Sequence, residues 1–169
     1  EGELVARKIA KEFRVSPEEA LDLMVFVALM HDAGKADVAY GNDIEHYPNH
    51  EIRSVAFAYA VLRRLGLVES CDLSKPGGEL YKTMLATIAM HHYVHKNLRK
   101  EIGLGYTPRC NDVAEALREW APRSKLGVSV RDAALVVAET PCAPYPCYAT
   151  LIRSATSAPL KLKVAVSAV

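Results

Sequence analysis

Ten consecutive residues constrain this chain more than any others: Leu21-Asp22-Leu23-Met24-Val25-Phe26-Val27-Ala28-Leu29-Met30. Asp22 is their only charge, and a helix that is apolar almost all round belongs inside a core. The run ends on His31-Asp32-Ala33-Gly34-Lys35-Ala36. Polar side chains delivered to the end of a buried helix must be paired, hydrogen-bonded or bound to a cation. A neighbouring His and Asp offer a borderline nitrogen and a hard oxygen, a donor pair suited to first-row divalent metals. Most such pairs are ordinary helix-end residues, so the weight of a metal reading falls on the other histidines.

The remaining segments read as helices too. Residues 3–14 place Leu4, Val5, Ile9 and Phe13 on one side and Arg7, Lys8, Lys11 and Glu12 on the other, the spacing of an amphipathic helix. Ser16-Pro17-Glu18-Glu19 starts the buried helix: Ser16 as cap, Pro17 at the first position, the acids at the positive end of the dipole. Gly34 is expected as its exit. Residues 36–48 are turn-like. Asn49 is positioned to cap a helix from His50 to about Leu65, with Ile52, Val55, Ala56, Tyr59, Ala60 and Leu62 as its apolar face and Gly66 closing it. After a loop holding Lys75-Pro76-Gly77-Gly78, a helix is expected from Glu79 to about His95, with Leu80, Met84, Leu85, Ile88 and Met90 in the core. Residues 96–111 are basic and Gly-rich. Asp112 to Trp120 predicts a short helix, and 128–139 permits strand or helix. Pro141, Pro144 and Pro146 mark a rigid loop, and the tail reads as two helices broken at Pro159. The expected architecture is all-α: one domain over 1–169, trimmed at both ends, since the chain opens on Glu1-Gly2-Glu3 and stops in an apolar stretch.

Composition sets outer limits. Half of the 169 residues are hydrophobic and the formal net charge is +1, so the chain can bury a substantial core but carries no global field for nucleic acid. Binding of that kind must come from a local patch. No apolar run reaches membrane-spanning length and no signal peptide is visible, which predicts a soluble cytoplasmic protein with no membrane partner. Cys71, Cys110, Cys142 and Cys147 lack zinc-ribbon spacing. Free thiols and a Cys142–Cys147 bridge both remain open.

The six histidines are His31, His46, His50, His91, His92 and His95. Apart from His46, in the turn-like stretch, they fall on three helical segments, at termini near loops, where packing can converge them on one pocket. A single buried His is most often a satisfied core residue, whereas a His-Asp pair, a His-Glu pair and a His-His pair together make that account the weaker one. Neither His91 with His95 nor His46 with His50 forms a metalloprotease pattern: position 92 is His where the general base would stand, and Pro48 interrupts the other pair.

These residues resemble the HD-domain metal-dependent phosphohydrolases, and among them the compact, stand-alone HD nuclease of the CRISPR interference machinery. The likeness rests on His31-Asp32-Ala33-Gly34-Lys35, on His50-Glu51 opening a helix that continues to Ser54, and on the tandem His91-His92, covering about residues 20–95. The resemblance implies a compact helical bundle with its metal pocket between helices, in which His31 and Asp32 are ligands and Asp32 bridges two ions. His50, His91 and His92 would hold mainly the second ion, and Lys35 would contact the scissile phosphate. The implied ions are manganese, nickel, cobalt or iron, with magnesium alone disfavoured by His-rich ligation. A separate helicase and a crRNA-guided surveillance complex are the implied partners. Two departures stand out. Residues 1–30 contain no His, where the family has one in its first helix, and neither Asp112 nor Asp132 matches the family's late ligand Asp. The missing ligands are expected outside the chain.

The leading expectation is a nuclease cleaving single-stranded DNA, with RNA as a further substrate, the strand following Lys96, Arg99, Lys100 and Arg109. The plain alternative for that run is a solvated loop. A second expectation keeps the site and changes the substrate to a small nucleotide, and a third is a helical scaffold that binds partner proteins. A closed pocket would favour the small substrate and an open groove the polynucleotide.

Overall fold

The computed structural model describes residues 2–37, 47, 50–68, 79–91, 119–123, 132 and 133. The fold is all-α: every regular element among these residues is helical. Helix α1 (Gly2–Phe13) and helix α2 (Pro17–Met30) form a hairpin. Their small contact cluster of Ala6, Ala10 and Ala20 lets the two backbones approach closely. Arg14 turns the chain between them in the left-handed region, φ 57°, and the Val15 amide donates to the Ala10 carbonyl at 3.1 Å, the closing bond of a Schellman motif. Ser16 then caps α2, its Oγ accepting from the Glu19 amide at 3.1 Å, with Pro17 in the first turn as the sequence predicts.

A 3-10 turn (Ala33–Ala36) follows α2 and lies against helix α3 (His50–Arg64). Gly66, at φ 71°, ends α3. The Leu67 amide bonds the Leu62 carbonyl and the Gly66 amide bonds the Arg63 carbonyl, both at 3.0 Å, so a residue free to adopt positive φ is required there. Helix α4 (Glu79–Met90) packs on both α2 and α3. The shared core holds Phe26, Phe57, Leu62, Leu85, Ile88 and Val61, and the Trp120 ring tilts against Phe26 at 6.4 Å.

Burial differs from the sequence expectation in one respect. Helix α2 seals only Ala20, Leu23, Phe26, Val27 and Met30, and Leu21 stays 40% exposed. The central helix is α3, buried at every position from His50 to Tyr59. Its polar residues are compatible with that because each has a partner. Arg53 forms a buried ion pair with Asp37, just beyond the 3-10 turn, and His50 and Ser54 bond the backbone. Residues 119, 120, 132 and 133 are helical, which favours the helical option where 128–139 permitted two. The expected end of α4 near His95, the basic run and the tail lie outside the described residues. No helix among the described residues is long and apolar enough to cross a membrane.

Candidate metal centre

Three helix termini meet at one point. His31 follows the last residue of α2, its amide still bonded to the Val27 carbonyl at 2.8 Å. Asp32 sits in the bridge region, φ −107° and ψ 3°, a conformation common to turns and active sites. His50 opens α3 and His91 follows the end of α4. The turn that carries Asp32 is held down by Gly34, whose amide donates to the buried Ser54 Oγ at 2.8 Å. Gly34 is therefore not the helix exit that the sequence predicts. Helix α2 already ends at Met30, and a Cβ at position 34 would fall 2.0 Å from the His50 carbonyl oxygen. Close approach to α3, not positive φ, requires glycine here.

The Asp32 carboxylate divides its neighbours between its two oxygens. Oδ1 lies 3.0 Å from His50 Nε2 and 3.5 Å from His91 Nε2. Oδ2 lies 3.3 Å from His31 Nε2 and 2.7 Å from Lys35 Nζ. The His91 ring meets both other imidazoles edge-on, at 5.2 Å in each case. Asp32, His50 and His91 each offer a ligand atom within 4.8 Å of the others.

The tautomers follow from the backbone. His31 Nδ1 is 2.6 Å from the Ala28 carbonyl, His50 Nδ1 is 2.8 Å from that of Tyr47, and His91 Nδ1 is 2.6 Å from that of Ile88. A carbonyl only accepts, so each Nδ1 carries a proton, and in the neutral ring the Nε2 lone pair faces Asp32. Burial holds His50 below the usual imidazole range, against the opposing pull of the Tyr47 carbonyl and the Glu51 and Asp32 charges. Burial also pushes the Asp32 carboxyl up. The Lys35 hydrogen bond and the charges of His31, Lys35 and His50 outweigh it and leave the carboxyl below its ordinary value. The outcome is an ionised carboxylate facing three imidazole Nε2 atoms.

Lys35 satisfies Oδ2 alone, and the Oδ1 side of the carboxylate is short of donors. Asp32 Oδ1 is buried and accepts no hydrogen bond among the described residues. His50 Nε2 and His91 Nε2 stand 3.2 Å apart; with both rings neutral and protonated at Nδ1 their lone pairs converge, which is repulsive unless a proton or a metal ion lies between them. Donors 3.0–3.5 Å apart have the spacing of adjacent ligands on a small ion whose bonds run about 2.0–2.2 Å. Imidazoles oriented by backbone carbonyls are the usual support for such ligands. The residues fit a divalent metal, and the mixed nitrogen and oxygen set suits a transition ion better than magnesium.

Of the residues singled out from sequence, His31, Asp32, Lys35, His50 and His91 come together here. His92, Lys96, Arg99, Lys100 and Arg109 lie outside the described residues. Gly34 and Glu51 belong to the quoted motif, but their roles here, close approach for Gly34 and a buried carboxylate 3.7 Å from His50 Nδ1 for Glu51, are not those the sequence predicts, and Asp37 with Arg53 and the Tyr47 carbonyl are not singled out by it. The available signal was that α3 interrupts an apolar run with Glu51 and Arg53, charges that a buried face holds only with partners.

A family model for the HD domain matches residues 2–134 of the chain. No curated protein and no solved structure matches it.

Proposed function

This chain belongs to the HD domain family, and from that premise we propose a metal-dependent phosphodiesterase acting on single-stranded nucleic acid, DNA foremost. Members of the family are metal-dependent phosphohydrolases that bind divalent ions. The observation that carries the reading for this chain is the buried, unprotonated Asp32 Oδ1 facing the Nε2 atoms of His50 and His91.

His31, Asp32, His50 and His91 would hold the metal, with His92 as a further ligand, and a pair of ions is proposed. Manganese, nickel, cobalt or iron is expected before magnesium. Bound there, such ions stabilise the attacking and leaving oxygens of a phosphodiester and acidify a coordinated water. The chain itself orients the donors through the three Nδ1 contacts. Lys35, held against Asp32 Oδ2, presents its ammonium beside the same carboxylate, where it can stabilise charge developing on a phosphate oxygen. The side chains of His31 and Asp32 are 41% and 37% exposed, an access that supports a polymeric strand over an enclosed small substrate. Lys96, Arg99, Lys100 and Arg109 are proposed to track that strand. A helicase and a crRNA-guided complex are proposed partners on resemblance alone.

The test is cleavage of labelled single-stranded DNA with manganese, beside a nucleotide panel, for the chain and for His31→Ala and His50→Ala. DNA cleavage lost in both variants is expected. Turnover of nucleotides alone would replace the substrate, and silence on both by manganese-loaded protein would leave the scaffold reading.

A further inference from the structure

We propose that Ser54 is a positioning residue for the Asp32 carboxylate, acting through the backbone amide of Gly34. The inference rests on the reading of the histidine cluster as a metal centre, and concerns what keeps that centre assembled.

Asp32 and His50 belong to different elements, and no element of the chain makes them neighbours by itself. Asp32 stands at the start of the 3-10 turn after α2, its carbonyl accepting from the Lys35 amide at 2.9 Å, so its direction is that of the turn. Its side chain makes no cap of the 3-10 turn. The position of its carboxylate therefore depends on how the turn is seated on α3. Two ties seat it. The Gly34 amide donates to Ser54 Oγ at 2.8 Å, in a bond between fully buried groups, and Asp37 pairs with Arg53 one position earlier on the same helix. Between them the backbones are in contact, since a Cβ on Gly34 would meet the His50 carbonyl oxygen and carbon and the Ser54 nitrogen, all within 3.0 Å.

The consequence is geometric. Ser54 stands one helical turn after His50, so its hydroxyl fixes the turn to the rigid body that presents the His50 imidazole. Ser54 touches neither a metal donor atom nor the space between the donors. It acts on their separation, 3.0 Å from Asp32 Oδ1 to His50 Nε2. A hydroxyl is suited to this place because it accepts the amide while its own proton remains free to donate elsewhere. Alanine at 54 leaves a buried amide without its acceptor, and the turn relaxes away from the helix to hydrate it.

The test separates this role from plain stability. Mn²⁺ affinity of the folded chain is measured by electron paramagnetic resonance for wild type, Ser54→Ala, Ser54→Thr and Val61→Ala, with Co²⁺ absorption spectra as a report on ligand geometry. Val61 is fully buried in α3 two turns beyond Ser54 and serves as the destabilised control. Ser54→Ala is expected to weaken Mn²⁺ binding by about 10–100-fold, the usual loss when the support of a metal ligand is removed, and to alter the Co²⁺ spectrum. Ser54→Thr restores the acceptor and most of the affinity, and Val61→Ala lowers the melting temperature with affinity and spectrum unchanged. Wild-type affinity in Ser54→Ala, or an equal loss in Val61→Ala, overturns the positioning role while the metal centre stands. A wild-type chain that takes up neither ion overturns the metal reading, and the role of Ser54 with it.

Discussion

Gly34→Ala is the smallest substitution that tests how the metal-binding turn is seated. The Cβ would lie 2.0 Å from the His50 carbonyl oxygen, 2.8 Å from the Ser54 nitrogen and 2.9 Å from the His50 carbonyl carbon. All three are backbone atoms of a buried helix, so no side chain can swing aside. Restoring ordinary contact, which begins near 3.4 Å, requires the turn and α3 to separate by about 1.4 Å in a core packed at crystal-like density. That movement carries the Gly34 amide out of reach of Ser54 Oγ, now 2.8 Å away. Overpacking typically costs about 1–3 kcal/mol, and a buried amide without an acceptor costs about 1–3 kcal/mol. Separation breaks the hydrogen bond and relieves the overpacking only in part, so the loss is at most the sum of the two, roughly 2–6 kcal/mol. In a chain of this size each kcal/mol moves the melting temperature by about 2–4 °C, which places the expected fall at roughly 4–24 °C. The assay is thermal unfolding by circular dichroism in chelator, followed by Mn²⁺ titration of the folded variant, with weakened binding expected. Gly2→Ala is the matched control, because a Cβ there meets nothing within 4 Å. A Gly34→Ala protein that melts with wild type and binds Mn²⁺ equally would refute the close-approach argument.

Two further predictions concern the scaffold. Asp37→Ala deprives the buried Arg53 guanidinium of its carboxylate and is expected to destabilise by about 3–5 kcal/mol, whereas Asp37→Leu with Arg53→Met recovers much of that loss. Denaturant titration of the two variants decides it. Burial, with the Glu19 charge nearby, raises Tyr81 above the usual phenol value. Its folded pKa exceeds the unfolded one, so its contribution is complete below the unfolded value of about 10 and is lost as pH rises through the folded value. Tyr81→Phe should therefore melt with a shallower alkaline decline than wild type, read from unfolding scans at successive pH values above about 9.

Local chemistry was readable in the sequence and long-range geometry was not. Ser16-Pro17-Glu18-Glu19 declared the start of α2 because a cap is a matter of three residues, and Gly66 declared the end of α3 for the same reason. Arg14 gave no such signal, since the left-handed position after a helix is usually glycine. The order of burial differs because periodicity marks only the apolar face of α3, whereas His50, Glu51 and Arg53 are buried as well. Their partners, the Tyr47 carbonyl and Asp37, lie in segments where residue type says nothing about pairing. His31, His50 and His91 could be recognised as ligand types, but the convergence of residues 41 positions apart is a property of packing. Gly34 was legible as a glycine that mattered, and its reason became visible only with α3 behind it.

The three imidazoles nevertheless share a rule that is local. Each Nδ1 meets the carbonyl three residues earlier: Ala28 for His31, Tyr47 for His50, Ile88 for His91. Ala28 and Ile88 belong to the last turns of α2 and α4, where carbonyls have no helical amide to accept from. A histidine just past a helix end can satisfy such a carbonyl with Nδ1–H, which fixes the tautomer and directs Nε2 outward from the terminus. The Tyr47 carbonyl, just before α3, does the same for His50 from the opposite end of a helix. For His31 and His91 helix ends thus orient the ligands through their own last carbonyls, and for His50 the carbonyl of the residue three before the helix does so, so the tertiary fold has only to bring three termini together. The assembled donors depend least on neighbouring side chains and most on the seating of the turns, which is why Gly34 and Ser54, neither of them a ligand, are the positions where small changes should reach the metal.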